Sequence, residues 1–228
     1  MYIYGKNAVS AIENDKIKKA FLYKNFHDKE ILSKLTSKDI PIYYLEKYEL
    51  DKKVDGNHQG IVLEVEDYQY ASLDEIMKED IIVMLDHLED PHNFGAIVRT
   101  CEAAGIKSII IPKDRSVKVT GTVSKVSVGT INNVNIAMEN NLVNTLKILK
   151  DNYYWVIGTD MHKEDYRNID YQGKIVLVIG NEGKGISRLV KENCDFMASI
   201  PMNGTVNSLN ASVAAALIIY EAVRNRGL

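Results

Sequence analysis

Three short stretches carry the side chains and backbone that a reaction would need. Gly180-Asn181-Glu182-Gly183-Lys184-Gly185 follows an unbroken apolar run, Ile175 to Ile179. Asn93-Phe94-Gly95-Ala96-Ile97-Val98-Arg99-Thr100 opens a helical pattern, and Ile200-Pro201-Met202-Asn203-Gly204 leads to Ser208-Leu209-Asn210-Ala211-Ser212-Val213-Ala214. Glycines at 180, 183 and 185 let the backbone approach a ligand closely. A phosphate is not that ligand: Gly185 precedes Ile186 where a phosphate-cradling loop needs Lys-Ser or Lys-Thr, and Asn181-Glu182 breaks any G-x-G-x-x-G. Glu182 suits a ligand that carries positive charge or offers donors. S-adenosylmethionine, with a sulfonium and an ammonium, fits that description. Arg99 lies off the apolar stripe Phe94, Ile97, Val98, Cys101 and Ala104, beside Ala96, Thr100 and Ala103, which leave room around its guanidinium. Taken singly, the glycine loop also reads as an ordinary strand-to-helix turn and Arg99 as a surface side chain. Asp86-His87-Leu88-Glu89-Asp90-Pro91-His92 raises a metal-dependent hydrolase as the rival enzyme. Its histidines are five apart and Pro91 interrupts any helix between them, so a polar loop is expected and no metal.

The elements that must position these stretches alternate strand and helix. An apolar, β-branched run such as 175–179 suits a strand buried on both faces, hence a parallel sheet, whose ligands bind beyond the carboxyl ends of its strands. Strands are expected at 81–85, 108–111, 134–137, 154–158 and 175–179, with helices opened by Asn93 and ended by Gly105, and at 121–129 and 141–150. Residues 1–66 read as a smaller α/β unit, with helices at 7–12 and 28–35 and strands at 20–23, 41–45 and 60–65. Residues 67–80 are polar, contain a short helix begun by Ser72, and are expected as a linker to a doubly wound domain over 81–228.

Composition fits a soluble globular protein: 228 residues, 46% apolar and 26% charged. Met1-Tyr2-Ile3-Tyr4 is not a charged-then-apolar leader, and the longest low-polarity run, Ala211 to Tyr220, is too short to span a bilayer. Two cysteines, Cys101 and Cys194, form no disulfide framework, so a cytoplasmic protein is expected. The net charge of −3 means that RNA binding would need a local patch. Lys107, Lys113, Arg115, Lys118 and Lys125, against Asp114 alone, form one candidate; Lys16, Lys18, Lys19 and Lys24 form another. Either also reads as a solvated face.

In order, the three stretches resemble the three motifs of the SpoU (TrmH-like) family, RNA 2′-O-ribose methyltransferases of the SPOUT class. Tyr4-Gly5-Lys6-Asn7-Ala8-Val9 and His58-Gln59-Gly60-Ile61 are similar to that family's ribosomal-protein-like substrate-binding domain. The two-domain layout is nearest to bacterial enzymes that methylate a guanosine ribose in large-subunit rRNA. The resemblance implies a SPOUT-type parallel-sheet domain with a C-terminal trefoil knot, a homodimer, and S-adenosylmethionine bound around Thr159, Gly180, Ile200 and Leu209. It assigns Arg99 to catalysis, with Asn93, Glu182, Ser208 and Asn210 shaping the site. A guanidinium holds its proton too strongly to be an easy base, so a grip on the RNA phosphate is the preferred role for Arg99. The alternatives are tRNA as substrate within the same family, or an RNA-binding module without turnover.

Overall fold

The computed structural model describes residues 1–206 and 208–227. It divides into two compact units, residues 1–69 with 118–132, and residues 70–117 with those from 133 onward.

The first unit begins with β1 (Tyr2–Tyr4), α1 (Lys6–Ala11), β2 (Ile17–Tyr23), α2 (Lys29–Thr36), β3 (Ile42–Leu45), α3 (Lys47–Asp51) and β4 (Ile61–Val65). Its sheet runs β1-β4-β2-β3, with β4 antiparallel to both neighbours and β3 parallel to β2. Ile3, Val9, Ala20, Leu22, Leu35, Ile61 and Leu63 fill one face. Asp28 caps α2 by accepting from the Ile31 amide, and Lys34 Nζ donates to the Ser10 carbonyl at 2.8 Å, closing the end of α1. On the other face α3 buries Leu50 against Tyr4, Phe21 and Val62.

The chain continues through α4 (Leu73–Ile76), β5 (Ile81–Leu85), α5 (Pro91–Ala103), β6 (Ser108–Pro112) and α6 (Gly121–Val126). It closes with β7 (Asn135–Glu139), α7 (Leu142–Asp151), β8 (Trp155–Asp165), β9 (Ile175–Ile179), α8 (Arg188–Lys191), β10 (Phe196–Ser199) and α9 (Ala211–Asn225). The larger sheet is parallel throughout, in the order β10-β8-β9-β5-β6-β7. Every residue of β9 is buried, as a strand covered on both faces requires. Ile82, Met84, Val176 and Val178 pack on one side with residues of α4, α7 and α8, while α9 packs against α5 and β9.

Two stretches lie differently from the sequence expectation. Within 67–80, expected as a linker, Ser72 and Glu75 form a capping box around α4, Ile76 is fully buried, and Ala71 bridges to Ala137, all in the second unit. Residues 118–132, expected in the second domain, pack in the first unit. Glycines decide this: a Cβ at Gly121 would strike the Tyr2 carbonyl, and one at Gly129 the Ala11 side chain.

Candidate functional site

The carboxyl ends of β9, β8 and β10 surround a cavity of 540 Å3. Its walls are the loop 179–185, the stretch 159–161, residues 198–202 and the chain entering α9. Each wall has a local cause.

The glycine loop folds back on itself. Asn181 and Gly185 exchange backbone hydrogen bonds of 3.0 and 2.9 Å, and Asn181 Oδ1 accepts from the Gly183 amide at 3.0 Å. Gly185 takes a φ of +65°, which favours glycine. Gly180 is required for a different reason, since any Cβ there would collide with the Gly185–Ile186 backbone. The loop is anchored from β5's end: Asp86, almost fully buried, accepts from the Ser187 amide at 2.6 Å, and Asn181 Nδ2 donates to the His87 carbonyl at 2.9 Å.

The β8 wall comes from a detour. Met197 pairs with Gly158, yet the next β10 residue, Ala198, pairs with Glu164, so residues 159–163 leave the ladder and swing out at the sheet's edge. Thr159 Oγ1 donates to the Val178 carbonyl at 3.1 Å, fixing the start of the detour. Asp160 follows on the cavity wall. Burial alone would raise its carboxyl, but hydrogen bonds from Lys191 Nζ and the Met161 amide outweigh burial and hold it below the ordinary range. Asp160, held ionised, and Glu182 thus line a cavity shared with apolar Ile179, Ile200, Met202, Leu209 and Ile218 and with Lys184.

Of the residues singled out from sequence, Thr159, Gly180, Glu182, Ile200, Ser208 and Leu209 all line this cavity. Asn93 joins them through its side chain, whose Nδ2 donates to Glu182 Oε1 at 2.7 Å across 89 positions of sequence. Its expected role as helix cap is corrected. Asp90 caps α5, accepting from the His92 amide at 2.9 Å, and Pro91 takes the first helical position, where a missing N–H costs nothing. Asn210 does not line the cavity; its Oδ1 accepts from the Ser212 and Val213 amides as the cap of α9. Arg99 also lies outside the lining. It is exposed on α5 and, among the described residues, makes no ion pair or side-chain hydrogen bond.

Sequence reasoning missed Asp86, Asp160 and Met202. Asp86 and Asp160 were open to it, being acids just past apolar strands at the carboxyl edge of a parallel sheet. The loop 86–92 spends its polar atoms internally: His87 Nδ1 lies 2.6 Å from Asp86 Oδ1, and Asp90 is the cap. Among the described residues no group of three His, Cys, Asp or Glu is placed to hold a metal ion. The basic clusters are only partly free. Lys16 pairs with Glu13, Lys19 with Glu64 and Lys24 with Glu46, while Lys125 donates to the Asn57 carbonyl at 2.6 Å beneath the Tyr4 ring. Lys113, Arg115 and Lys118 stay exposed.

Comparison with known proteins agrees with this geometry. Residues 80–220 match the model of the SpoU rRNA Methylase family, and residues 2–71 match that of the RNA 2′-O ribose methyltransferase substrate-binding domain. YacO of Bacillus subtilis, whose description is a TrmH family tRNA/rRNA methyltransferase, is 44% identical, covering 99% of this chain and 96% of its own. Among solved structures, the SpoU methyltransferase AviRb of Streptomyces viridochromogenes, in complex with AdoMet, is 25% identical with a TM-score of 0.84, covering 99% of this chain and 90% of that one. An rRNA methyltransferase of Sinorhizobium meliloti is likewise 25% identical, with a TM-score of 0.80, and covers 100% and 87%.

Proposed function

The chain belongs to the SpoU rRNA methylase family of S-adenosylmethionine-dependent RNA methyltransferases, and from that premise we propose that it methylates the ribose 2′-hydroxyl of a guanosine in large-subunit rRNA. The observation that carries this reading is the cavity: six residues singled out from the sequence line it, five from the motifs and Thr159 from the family resemblance, and a seventh, Asn93, is tied to it through Glu182. The full-length likeness to a solved rRNA methyltransferase supports ribosomal RNA as the substrate. The relative YacO, whose description spans both RNA classes, keeps tRNA as the second reading.

The cavity suits the cofactor by chemistry. Its volume is within the ~300–1,000 Å3 of small-molecule sites. Apolar Ile200, Met202, Leu209 and Ile218 offer a bed for a flat heterocycle, while Asp160 and Glu182 favour a cationic ligand. Thr159, Gly180, Ile200 and Leu209 are the residues that would hold it. When bound, S-adenosylmethionine supplies an activated methyl group on a sulfonium sulfur.

The chain's own residues then have separable tasks. A ribose hydroxyl is a poor nucleophile, so it must be oriented and its developing negative charge stabilised. Arg99, exposed and without an ion-pair or hydrogen-bond partner among the described residues, is free to take an RNA phosphate in a two-pronged grip that brings positive charge next to the ribose. Glu182, held by Asn93, fixes the loop's outer edge, and Ser208 contributes a hydroxyl to the lining. Asn210 orients the start of α9, which forms the cavity's last wall.

A homodimer is part of the same proposal. Val213, Leu217 and Tyr220, spaced along one stripe of α9, are exposed although large and apolar. The trefoil knot belongs to the proposal as well, with α9 as the threaded helix. No helix among the described residues is long and apolar enough to cross a membrane, and the proposed place of action is the cytoplasm, where the RNA is. Mapping ribose methyls in rRNA and tRNA from cells with and without the protein tests the reading. One 2′-O-methylguanosine should disappear from large-subunit rRNA. Disappearance only from tRNA would move the substrate, and an unchanged map in both would overturn the proposal.

A further inference from the structure

We infer that His87 is the group that receives the proton of the ribose hydroxyl as the methyl group is transferred. The inference rests on the reading that the chain methylates a ribose 2′-hydroxyl, and it supplies that site with a base.

Methylating a hydroxyl releases a proton. The hydroxyl oxygen takes the methyl group, the bonding pair stays on the departing sulfur, and the O–H proton must pass to an acceptor. The charged groups already described are poorly placed for this. Asp160 is engaged by Lys191 and the Met161 amide, and Glu182 Oε1 accepts from Asn93. Lys184 and Arg99 are lysine and arginine, which offer donors and no acceptor. Because the cavity holds the cofactor, the ribose arrives over its rim, and the base belongs on the rim too.

His87 is fastened there. Its carbonyl accepts from Asn181 Nδ2 at 2.9 Å, which ties it to the wall formed by the loop 179–185. Its chain neighbours are buried: Asp86 is 1% exposed and Leu88 0%. The Leu88 carbonyl in turn accepts from the Val117 amide at 2.8 Å. Pinned on both sides, His87 keeps a φ of +56°, in the left-handed region that side chains seldom adopt.

The imidazole is oriented as well. Nδ1 lies 2.6 Å from Asp86 Oδ1, while Asp86 Oδ2 accepts from the Ser187 amide at 2.6 Å. Between a carboxylate and an imidazole the hydrogen belongs on nitrogen, so Nδ1 donates and Nε2 carries the lone pair. Among the described residues Nε2 has no hydrogen-bond partner, and the side chain is 33% exposed. A carboxylate that fixes one ring nitrogen and leaves the other free to take a proton is the arrangement general-base histidines use. A purely structural residue at this backbone angle would need no ring, since Gly or Asn adopts it more readily.

Single-turnover methyl transfer to unmodified rRNA or tRNA, at saturating RNA, tests this on the full-length chain. His87→Gly suits the positive φ and leaves a hole where the ring was. His87→Asn tolerates the same angle and keeps a donor for Asp86. Both should bind S-adenosylmethionine in calorimetry as the parent does, and both should transfer methyl at least ~100-fold more slowly. Free imidazole should restore rate to His87→Gly in proportion to its concentration, with more basic imidazoles restoring more, and should do nothing for the parent. A parental rate in either variant would overturn the proposal. So would a loss in both that no imidazole repairs, which would make His87 a positioning group for the loop. A parent chain that methylates neither RNA would overturn the underlying reading, and this inference with it.

Discussion

Gly180→Ala should disable the cavity, while Gly183→Ala, three residues along the same loop, should leave it intact. A Cβ at 180 would sit 2.7 Å from the Gly185 carbonyl oxygen and closer still to the Gly185 carbonyl carbon and the Ile186 nitrogen. All three are backbone atoms and cannot rotate aside, so the two sides of the loop must part by roughly 1 Å in a closely packed surround. That parting breaks the paired hydrogen bonds between Asn181 and Gly185 and pulls on Ser187, whose amide is held at 2.6 Å by buried Asp86. Overpacking of this kind costs about 1–3 kcal/mol, and each lost hydrogen bond about 1 kcal/mol. Because the loop is a cavity wall, a distortion of about 2 kcal/mol carried into the bound state corresponds to roughly thirtyfold weaker cofactor binding. At Gly183 the added carbon meets only Asn181 Oδ1, at 3.8 Å, an ordinary contact. Calorimetric titration with S-adenosylmethionine, alongside thermal unfolding of each variant, reads both effects. Gly180→Ala binding the cofactor as tightly as the parent would refute the reasoning, as would equal loss in Gly183→Ala.

Arg99→Ala should fold and bind S-adenosylmethionine as the parent does, while single-turnover methyl transfer at saturating RNA falls by at least ~100-fold. Arg99→Lys should recover little of that rate if a two-pronged phosphate grip is what matters, and much of it if charge alone suffices; an Ala variant at parental rate removes Arg99 from the mechanism. Reversing Lys113, Arg115 and Lys118 to Glu should weaken RNA binding and flatten its salt dependence by roughly 0.7–0.9 per lost phosphate contact, and an unchanged slope would make these residues plain surface. Burial, helped by Asp195, pushes the Cys194 thiol up to about 12 from 9.0. Its alkylation at pH 8, followed by peptide mass spectrometry, should therefore run roughly a thousandfold slower than for an unperturbed thiol and keep rising past pH 9. Because the fold favours the neutral thiol, its contribution to stability is full below pH 9 and lost as the pH climbs towards 12. A rate that levels off near pH 9 would show an ordinary, accessible thiol.

The parallel sheet and the cavity loops were legible because local sequence states them. The run 175–179 has no polar face to show, and the stripe Phe94, Ile97, Val98, Cys101 is buried as helical spacing requires. Boundaries were less legible: Asp90-Pro91 outcompetes Asn93 as the start of α5, a contest between two good caps. Helix α3, five residues with a Glu46–Glu49 capping box, is too short to show a period. What lay beyond reach was set by distant partners. The Asn93–Glu182 hydrogen bond, the detour of β8 and the docking of α6 through Gly121 depend on residues far apart in sequence. The lysines near the N-terminus read as a basic patch because the glutamates that pair with them, Glu46 and Glu64, come from other strands and turns.

The central claim, ribose methylation of RNA from S-adenosylmethionine, has a direct measurement. The purified chain is incubated with methyl-labelled S-adenosylmethionine, EDTA and unmodified large-subunit rRNA or tRNA, and the RNA is hydrolysed in alkali. A methyl on the 2′-oxygen blocks cleavage at that nucleotide, so the label should emerge in an alkali-resistant dinucleotide whose first residue is guanosine, from rRNA. Label recovered in ordinary mononucleotides, as a base methyl would give, or no transfer to either RNA, would contradict it.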